Sequence, residues 1–286
     1  MAPNDSPSQL PVIDSHIHLY AAAHIPWLNW TSDLADNHLL KRQYSTNEYR
    51  EATGSRSNLL GFVFVETDRK SGLEEAEWQD VLEEVDFLMR IARGIPRNDE
   101  GHSPGDGLTF DLGVDARSGG LHQLQEAYEM LDRIYDDSNP VEIIINHFCK
   151  PNLRLTAAEA VNGHGDFMRW KECIRKMSSH KSTYMKLSGL FSELPPQDES
   201  NPTDIASLVE QTRPWVNVVF SAFGPSRVMF GSDWPVCNVG GPGIRKSWGH
   251  WYALVSAILD DQGLSEEQKK RVWSGTAVEA YNIQLP

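Results

Sequence analysis

The stretch VIDSHIHL, residues 12–19, governs the interpretation of the rest of the sequence. Its apolar residues surround an aspartate and predict a short buried strand, which ends at His16 and His18. Side chains two residues apart on a strand point to the same side, so both imidazoles can reach one metal ion or one substrate oxygen. The same spacing also occurs where one histidine is a buried hydrogen-bonded residue and the other is exposed. The spacing alone leaves both interpretations open.

Five further apolar runs end, like this one, at polar or charged residues. They are LLGFVFVETD (59–68), LTFDLGVD (108–115), VEIIINHF (141–148), TYMKLSGL (183–190) and RVMFGSDWP (227–235). Stretches such as 74–92 and 121–137 lie between them and place apolar residues three and four apart, which predicts helices. Alternating strands and helices predict an α/β fold with a parallel sheet. Polar residues at the carboxyl ends of parallel strands predict a site at that end.

The composition bounds the class of protein. The chain has 286 residues, of which 40% are hydrophobic and 23% charged, enough apolar material for a substantial core. A net charge of −14 without a Lys/Arg cluster argues against nucleic-acid binding. The sequence has no run of 18 apolar residues, so it predicts no membrane span. The three cysteines lack a CxxC spacing, which favours a reducing compartment and hence a cytoplasmic location. We expect a disordered tail over residues 1–10 and a single domain over residues 11–286.

Two more polar residues stand at strand ends, His147 in the fourth run and Asp233 in the last. Gly231 and Ser232 let the backbone turn and Pro235 stops the strand, so Asp233 is expected at the rim of the sheet. An aspartate at such a terminus can instead cap the following turn. A carboxylate that faces imidazoles can bind a metal ion, take a proton from water, or do both.

Four motifs together resemble a known family. VIDSHIHL, IINHFCKP, YMKLSGL and RVMFGSDWP occur in the order typical of the amidohydrolase-2 branch of the metal-dependent hydrolases. They are most similar to its sugar lactonases, the L-rhamnonolactonase-like group above all. The resemblance implies a TIM-like (β/α) barrel of eight units and the hydrolysis of a sugar-acid lactone such as L-rhamnono-1,4-lactone.

The resemblance also implies roles for individual residues. His16, His18 and Asp233 would bind a divalent metal ion, Asp233 would be the general base on water, and His147 would be a second catalytic residue. Zinc is the metal in some relatives, whereas others work without one. Four further residues near the strand ends are expected to contact substrate: Glu66, Lys150, Lys186 and Trp234. Trp27 and Trp30 are further candidates to line a sugar pocket, and in the alternative interpretation all three tryptophans are core residues.

The chain departs from the family in its number of strands. It has six strand-like runs where the family has eight, and residues 69–107 hold only a helix and a Gly/Pro-rich loop. We therefore expect an incomplete barrel that lacks two βα units between residues 69 and 107, including a strand whose arginine faces the pocket in relatives. Such a barrel would either close with fewer strands or keep an open edge beside residues 59–68. An open edge would favour association, so a homo-oligomer is one expectation. No nucleic-acid or membrane partner is expected.

Three functions are compatible with these motifs. The first is a hydrolase whose partner is a small lactone, and the contexts KLSGL and GSDWP favour it. The second is a carboxy-lyase, because decarboxylases of the family share the HxH strand, the inner histidine and the last aspartate. The third is an impaired relative that keeps the rim residues but lacks the part of the barrel that holds substrate.

Overall fold

The structure, a computed structural model, describes residues 10–103, 110–113, 124–135 and 141–285. Almost all of the predicted N-terminal tail lies outside these residues, and the single-domain expectation stays a prediction. No helix in the described ranges is long and apolar enough to cross a membrane.

Each of the six apolar runs contains one strand. They are β1 Val12–Ile17, β2 Leu59–Val65, β3 Phe110–Gly113, β4 Ile143–Ile145, β5 Thr183–Leu187 and β6 Val228–Phe230. Where the flanking residues are described, the strands are shorter than the runs because the polar residues at the ends leave the ladder. The predicted α/β fold is confirmed.

Helices separate the strands. They are α1 Thr46–Thr53, α2 Gln79–Arg93, α3 Leu124–Tyr135, α4 Ala157–Val161, α5 Gly165–Met177, α6 Ile205–Phe223, α7 Ser247–Asp261, α8 Glu266–Lys270 and α9 Thr276–Ala280. At the start of α1, the backbone N–H of Ser45 donates to the carboxylate of Glu48 and caps the helix. At the end of α2, Gly94 adopts the left-handed conformation. In the described part of residues 69–107, a short 3₁₀ turn and α2 are the elements present, and no strand occurs there.

All strand pairings are parallel and form two three-stranded sheets, β1–β2–β3 and β4–β5–β6. The sheets meet where Ile17 bridges to Trp234, just beyond β6. There the N–H of His18 donates to Trp234 O at 2.8 Å and the N–H of Asp233 donates to His16 O at 2.8 Å. The strand order is therefore β3, β2, β1, β6, β5, β4, with all carboxyl ends on one side.

The expected open edge beside residues 59–68 is wrong in its position. β2 pairs with β1 on one side and with β3 on the other, because the segment through α2 is long enough for a parallel crossover. Within the described residues, the outer edges are those of β3 and β4. The strands also differ in burial: β1, β5 and β6 are wholly buried, whereas the three residues of β4 are only partly buried.

Candidate active site

Four side chains from three strand ends converge on one point. The Nε2 atoms of His16 and His18 each lie 3.5 Å from Asp233 Oδ1, and His147 Nε2 lies 3.7 Å from the same oxygen. The two Nε2 atoms of the HxH pair are 3.2 Å apart. The four residues predicted from the strand ends thus face one another, although they are far apart in the sequence.

An unusual backbone turn carries His147. Residues 147–150 all have positive φ, between 48° and 57°, a conformation that costs non-glycine residues about 1–2 kcal/mol each. Tertiary contacts hold the turn: Phe148 is fully buried and its carbonyl accepts the indole N–H of Trp170 at 2.6 Å. The turn directs His147 towards the cluster and places Lys150 at its mouth.

The neighbouring strand β5 completes the support of His147. Ser188 Oγ lies 2.8 Å from His147 Nδ1, which leaves Nε2 to face Asp233. Gly189 follows, and a Cβ atom there would lie 2.4 Å from His147 Nδ1 and 2.9 Å from Asp233 Oδ2. Only glycine lets the histidine and the aspartate approach this closely.

The protonation of His18 is set by the backbone. Its Nδ1 lies 3.0 Å from the carbonyl of Val65 and 3.1 Å from that of Glu66. Carbonyl oxygens only accept, so Nδ1 carries the proton and the lone pair of Nε2 faces the cluster. This is the arrangement in which a metal-ligating imidazole is usually held.

His16 has a different neighbour. Its Nδ1 lies 3.1 Å from the buried Nζ of Lys186. Burial and the charge of Lys186 lower the pKa of His16 well below its ordinary value, so the imidazole is neutral. An ammonium group only donates, so Nδ1 of His16 accepts and Nε2 carries the proton. A metal ion on Nε2 of His16 therefore requires a neutral Lys186, whose amine accepts a hydrogen bond from the Nδ1–H of His16.

Asp233 remains ionised at this position. Burial raises the pKa of Asp233, but the imidazoles of His147 and His18 and the charge of Lys150 outweigh it, and the net pKa lies below the ordinary value. Asp233 begins a turn, with a backbone φ of 60°, and its backbone N–H donates to His16 O. An anion that faces three imidazoles is suited to bind a cation or to accept a proton.

The donor atoms fit a divalent metal ion. Three imidazole nitrogens and one carboxylate oxygen form a donor set typical of zinc. Ligand atoms about 2.0–2.1 Å from a tetrahedral ion lie about 3.3 Å apart, close to the separations of 3.2–3.7 Å between these atoms. His16, His147 and Asp233 also offer ligand atoms within 4.8 Å of one another. The predicted ligand set omitted His147, whose Nε2 is placed as favourably as those of His16 and His18.

A cavity of about 860 Å³ opens above the cluster. His18, His147, Lys186 and Asp233 form its polar end. Its remaining wall is largely apolar and includes Tyr20, Trp30, Leu40, Val65, Leu131 and Ile145. The site therefore combines a compact polar centre with a roomy, mostly apolar enclosure.

The predicted substrate-binding residues have different surroundings. Lys186 lines the cavity, and Lys150 lies at its mouth with half of its side chain exposed. The carboxylate of Glu66 turns back to accept the backbone N–H of Asp68. Trp234 is fully buried, with its ring centroid 5.2 Å from those of two tyrosines, Tyr44 and Tyr49. The sequence-based expectation placed Trp234 at the cavity wall, in contact with substrate. The structure places it in the core instead.

Sequence reasoning missed Ser188, and it left open whether Trp30 lines a sugar pocket or belongs to the core. Ser188 lies two residues after Lys186, so the period of two along a strand could have indicated that both face the site. Trp30 lines the cavity, and its indole N–H donates to the carbonyl of Thr67 at 2.8 Å. Nothing local in the sequence distinguishes Trp30 from the buried Trp234.

Similarity to known proteins extends over most of the chain. The family model of the amidohydrolases matches residues 101–283, more than half of the chain. The chain belongs to the amidohydrolase family. This amidohydrolase is 26% identical to an L-rhamnono-gamma-lactonase of Scheffersomyces stipitis over 349 aligned residues, which cover 96% of the chain and 100% of that protein. It is also 29% identical to an L-fucono-1,5-lactonase of Burkholderia ambifaria over 146 residues, 51% of the chain and 43% of that protein.

Solved structures show the same fold. An amidohydrolase of Burkholderia multivorans, crystallised with bound zinc, superposes with a TM-score of 0.64 at 22% identity and covers 96% of this amidohydrolase and 100% of its own chain. A protein of Pseudomonas putida described as a putative 2-pyrone-4,6-dicarboxylic acid hydrolase gives a TM-score of 0.53 at 16% identity, with 97% and 100% covered.

The alignment with the Scheffersomyces protein shows that this amidohydrolase is shorter internally. It spans 349 positions, whereas the chain has 286 residues, so at least 63 positions (349 minus 286) have no counterpart here. That difference is close to the length of two βα units of about 30 residues each.

Proposed function

We propose that this amidohydrolase opens a sugar-acid lactone, L-rhamnono-1,4-lactone or a related aldonolactone, by adding water to its carbonyl carbon. The observation that carries the proposal is the convergence of Asp233 with three imidazoles at the polar end of a cavity. The alignment with the lactonase of Scheffersomyces stipitis over its whole length supports the substrate class.

His18, His147 and Asp233 would hold a divalent ion, for which we propose zinc, and His16 would join them when Lys186 is neutral. Such an ion polarises a carbonyl group and lowers the pKa of water. This use of Nε2 by His18 and His147 matches the way in which the carbonyl groups beside His18 and the hydroxyl of Ser188 beside His147 occupy the opposite ring nitrogens.

Asp233 acts as the general base in this proposal. Its ionised carboxylate takes a proton from the attacking water while the oxygen forms its bond to the carbonyl carbon. When the bond between the carbonyl carbon and the ring oxygen breaks, the protonated Asp233 returns the proton to that oxygen. The product is a hydroxy acid, which ionises and releases one proton for each turnover. Lys150, at the mouth, is placed to attract the new carboxylate.

The proposal includes the finer architecture. We infer an incomplete (β/α) barrel in which two βα units are missing between residues 69 and 107. Support comes from the six described strands, from their order, and from the 63 or more unmatched positions of the alignment. Because β3 pairs directly with β2, the gap in the barrel would lie between β3 and β4. The cytoplasmic location and a homo-oligomeric state stay predictions.

Acid release at constant pH tests the function. The zinc-supplemented protein should consume base with L-rhamnono-1,4-lactone or another member of an aldonolactone panel, at a rate well above spontaneous hydrolysis. The Asp233→Asn variant is the control and should approach the spontaneous rate. Carbon dioxide release from an aromatic carboxylic acid, without acid release from any lactone, would replace the proposal with the carboxy-lyase. Inactivity on both classes, with an intact fold, would favour the impaired relative.

A further inference from the structure

Asp14 is a buried carboxylate for which the proposed reaction has no use. It lies on β1 two residues before His16 and is fully buried. Its Oδ1 accepts the backbone N–H of Ser232 at 2.7 Å. Its Oδ2 accepts the hydroxyl of Tyr49 at 2.8 Å and the indole N–H of Trp248 at 2.9 Å. One side chain thus connects β1, the turn after β6, α1 and α7.

The bond to Ser232 has a structural cause. β6 ends at Phe230, and the chain turns at Gly231, where a Cβ atom would lie 3.0 Å from that of His16. The turn removes the N–H of Ser232 from the strand ladder, and an unpaired buried N–H costs about 1–3 kcal/mol. Asp14 Oδ1 accepts a hydrogen bond from this N–H instead. The next residue is Asp233, whose own N–H donates to His16 O, so the two bonds fix the turn against β1.

The contacts of Asp14 require an acceptor on both oxygens. The N–H of Ser232 on one side and the indole N–H of Trp248 on the other can only donate. The two oxygens of one side chain accept from all of these donors at once.

We propose that Asp14 is a positioning residue of the active site, which holds the turn before Asp233 at the distance from His16 and His18 that metal binding and catalysis need. The catalytic part of this inference rests on the proposed function, but the effect on metal binding does not require any particular substrate.

The Asp14→Asn variant tests the inference because it keeps the size of the side chain. Whichever way the amide turns, its NH₂ group meets a donor, either the N–H of Ser232 or that of Trp248. We expect zinc affinity, measured by competition with a chromophoric chelator, to fall about 10- to 100-fold, as for other outer-shell partners of metal ligands. We expect kcat to fall by a similar factor with KM changed less. Asp261→Asn removes a surface carboxylate that pairs with Arg213 and is the matched control, which should bind zinc normally.

A second substitution separates positioning from general destabilisation. In the wild type, Trp248→Phe removes one donor to the carboxylate and should weaken zinc binding slightly. In the Asp14→Asn background the same change removes the opposing N–H, and the amide can donate to the hydroxyl oxygen of Tyr49. The double variant should therefore bind zinc more tightly than Asp14→Asn alone, a reversal of sign that loss of packing does not produce.

Hydrogen–deuterium exchange of residues 228–236 supplies a readout that needs neither metal nor substrate. Faster exchange in Asp14→Asn, weaker zinc binding and partial recovery on adding Trp248→Phe would support the inference. Wild-type zinc affinity and kcat in Asp14→Asn, or weaker binding without that recovery, would overturn it. If the wild type neither binds zinc nor opens any lactone, the proposed function fails, and unchanged exchange in this segment would then refute the positioning role as well.

Discussion

The two strand regions that supply the site differ sharply in their surroundings. β1 and β6 are fully buried, meet through backbone hydrogen bonds and carry His16, His18 and Asp233. β4 leads to His147, yet its three isoleucines are only partly buried and line the cavity. Both regions nevertheless place an Nε2 atom within 3.7 Å of the same carboxylate oxygen.

Local clamps, by which we mean hydrogen bonds and buried turns next to the site, therefore fix these side chains more than a complete ring of strands does. On the buried side Asp14 binds the turn that carries Asp233. On the β4 side a buried left-handed turn and Ser188 hold His147. The loss of two βα units that we propose would therefore affect stability more than the geometry of the site.

The largest effect should come from removing one reacting group on each side. Asp233→Asn removes the proposed base, and kcat should fall about 10²- to 10⁴-fold. His147→Asn should lower kcat comparably if β4 contributes to the same centre. Steady-state kinetics by acid release measures both, with the surface change Asp166→Asn as control. An Asp233→Asn variant that retained a tenth or more of wild-type kcat would show that another group takes the proton.

A matched pair of isoleucines compares the packing of the two regions. Ile13 on β1 is 2% exposed, whereas Ile144 on β4 is partly buried against the same small cluster and lines the cavity. Ile13→Ala should lower the free energy of unfolding by about 3 kcal/mol, because it leaves a new cavity. Ile144→Ala should cost about 1 kcal/mol, since part of its surface is already open. Urea denaturation would contradict this view of β4 if the two losses were equal.

Ser188→Ala tests the clamp on the β4 side. Without its hydroxyl partner the His147 ring can rotate, so zinc affinity should fall about 10-fold while the melting temperature changes little. Ser179→Ala, at an exposed position, should bind zinc as the wild type does. If Ser188→Ala kept full affinity, the left-handed turn alone would suffice to orient His147.

The smallest expected effect is a pH dependence of stability from the loop after β1. Burial and the charge of Arg69 lower the pKa of His24 to about 3. The unfolded chain, with an ordinary pKa near 6.5, binds more protons than the folded one between pH 3 and 6.5, so stability falls as the pH drops through this window. At pH 5.5 His24 lowers the free energy of unfolding by about 1 kcal/mol relative to neutral pH.

His24→Asn should flatten that part of the curve of unfolding free energy against pH. His164→Asn is the matched control, because His164 is exposed and asparagine also caps a helix well. A pH dependence unchanged by His24→Asn would show that other groups cause it.

Much of the fold could be predicted because the strands of a parallel sheet leave nearly uninterrupted apolar runs, and all six runs hold a strand. The end of the fourth run could not, since the left-handed turn at residues 147–150 depends on distant contacts such as that of Trp170 with Phe148. The site histidines and Asp233 were predictable from their positions at strand ends. The role of Asp14 was not, because its partners lie 35, 218 and 234 residues away.

X-ray absorption at the zinc edge of the zinc-loaded protein tests most directly whether both regions build one metal centre. We expect nitrogen and oxygen ligands at about 2.0–2.1 Å and a loss of one imidazole's scattering in His147→Asn. An identical spectrum in that variant would mean that β4 does not contribute a ligand, and the shared centre would have to be abandoned.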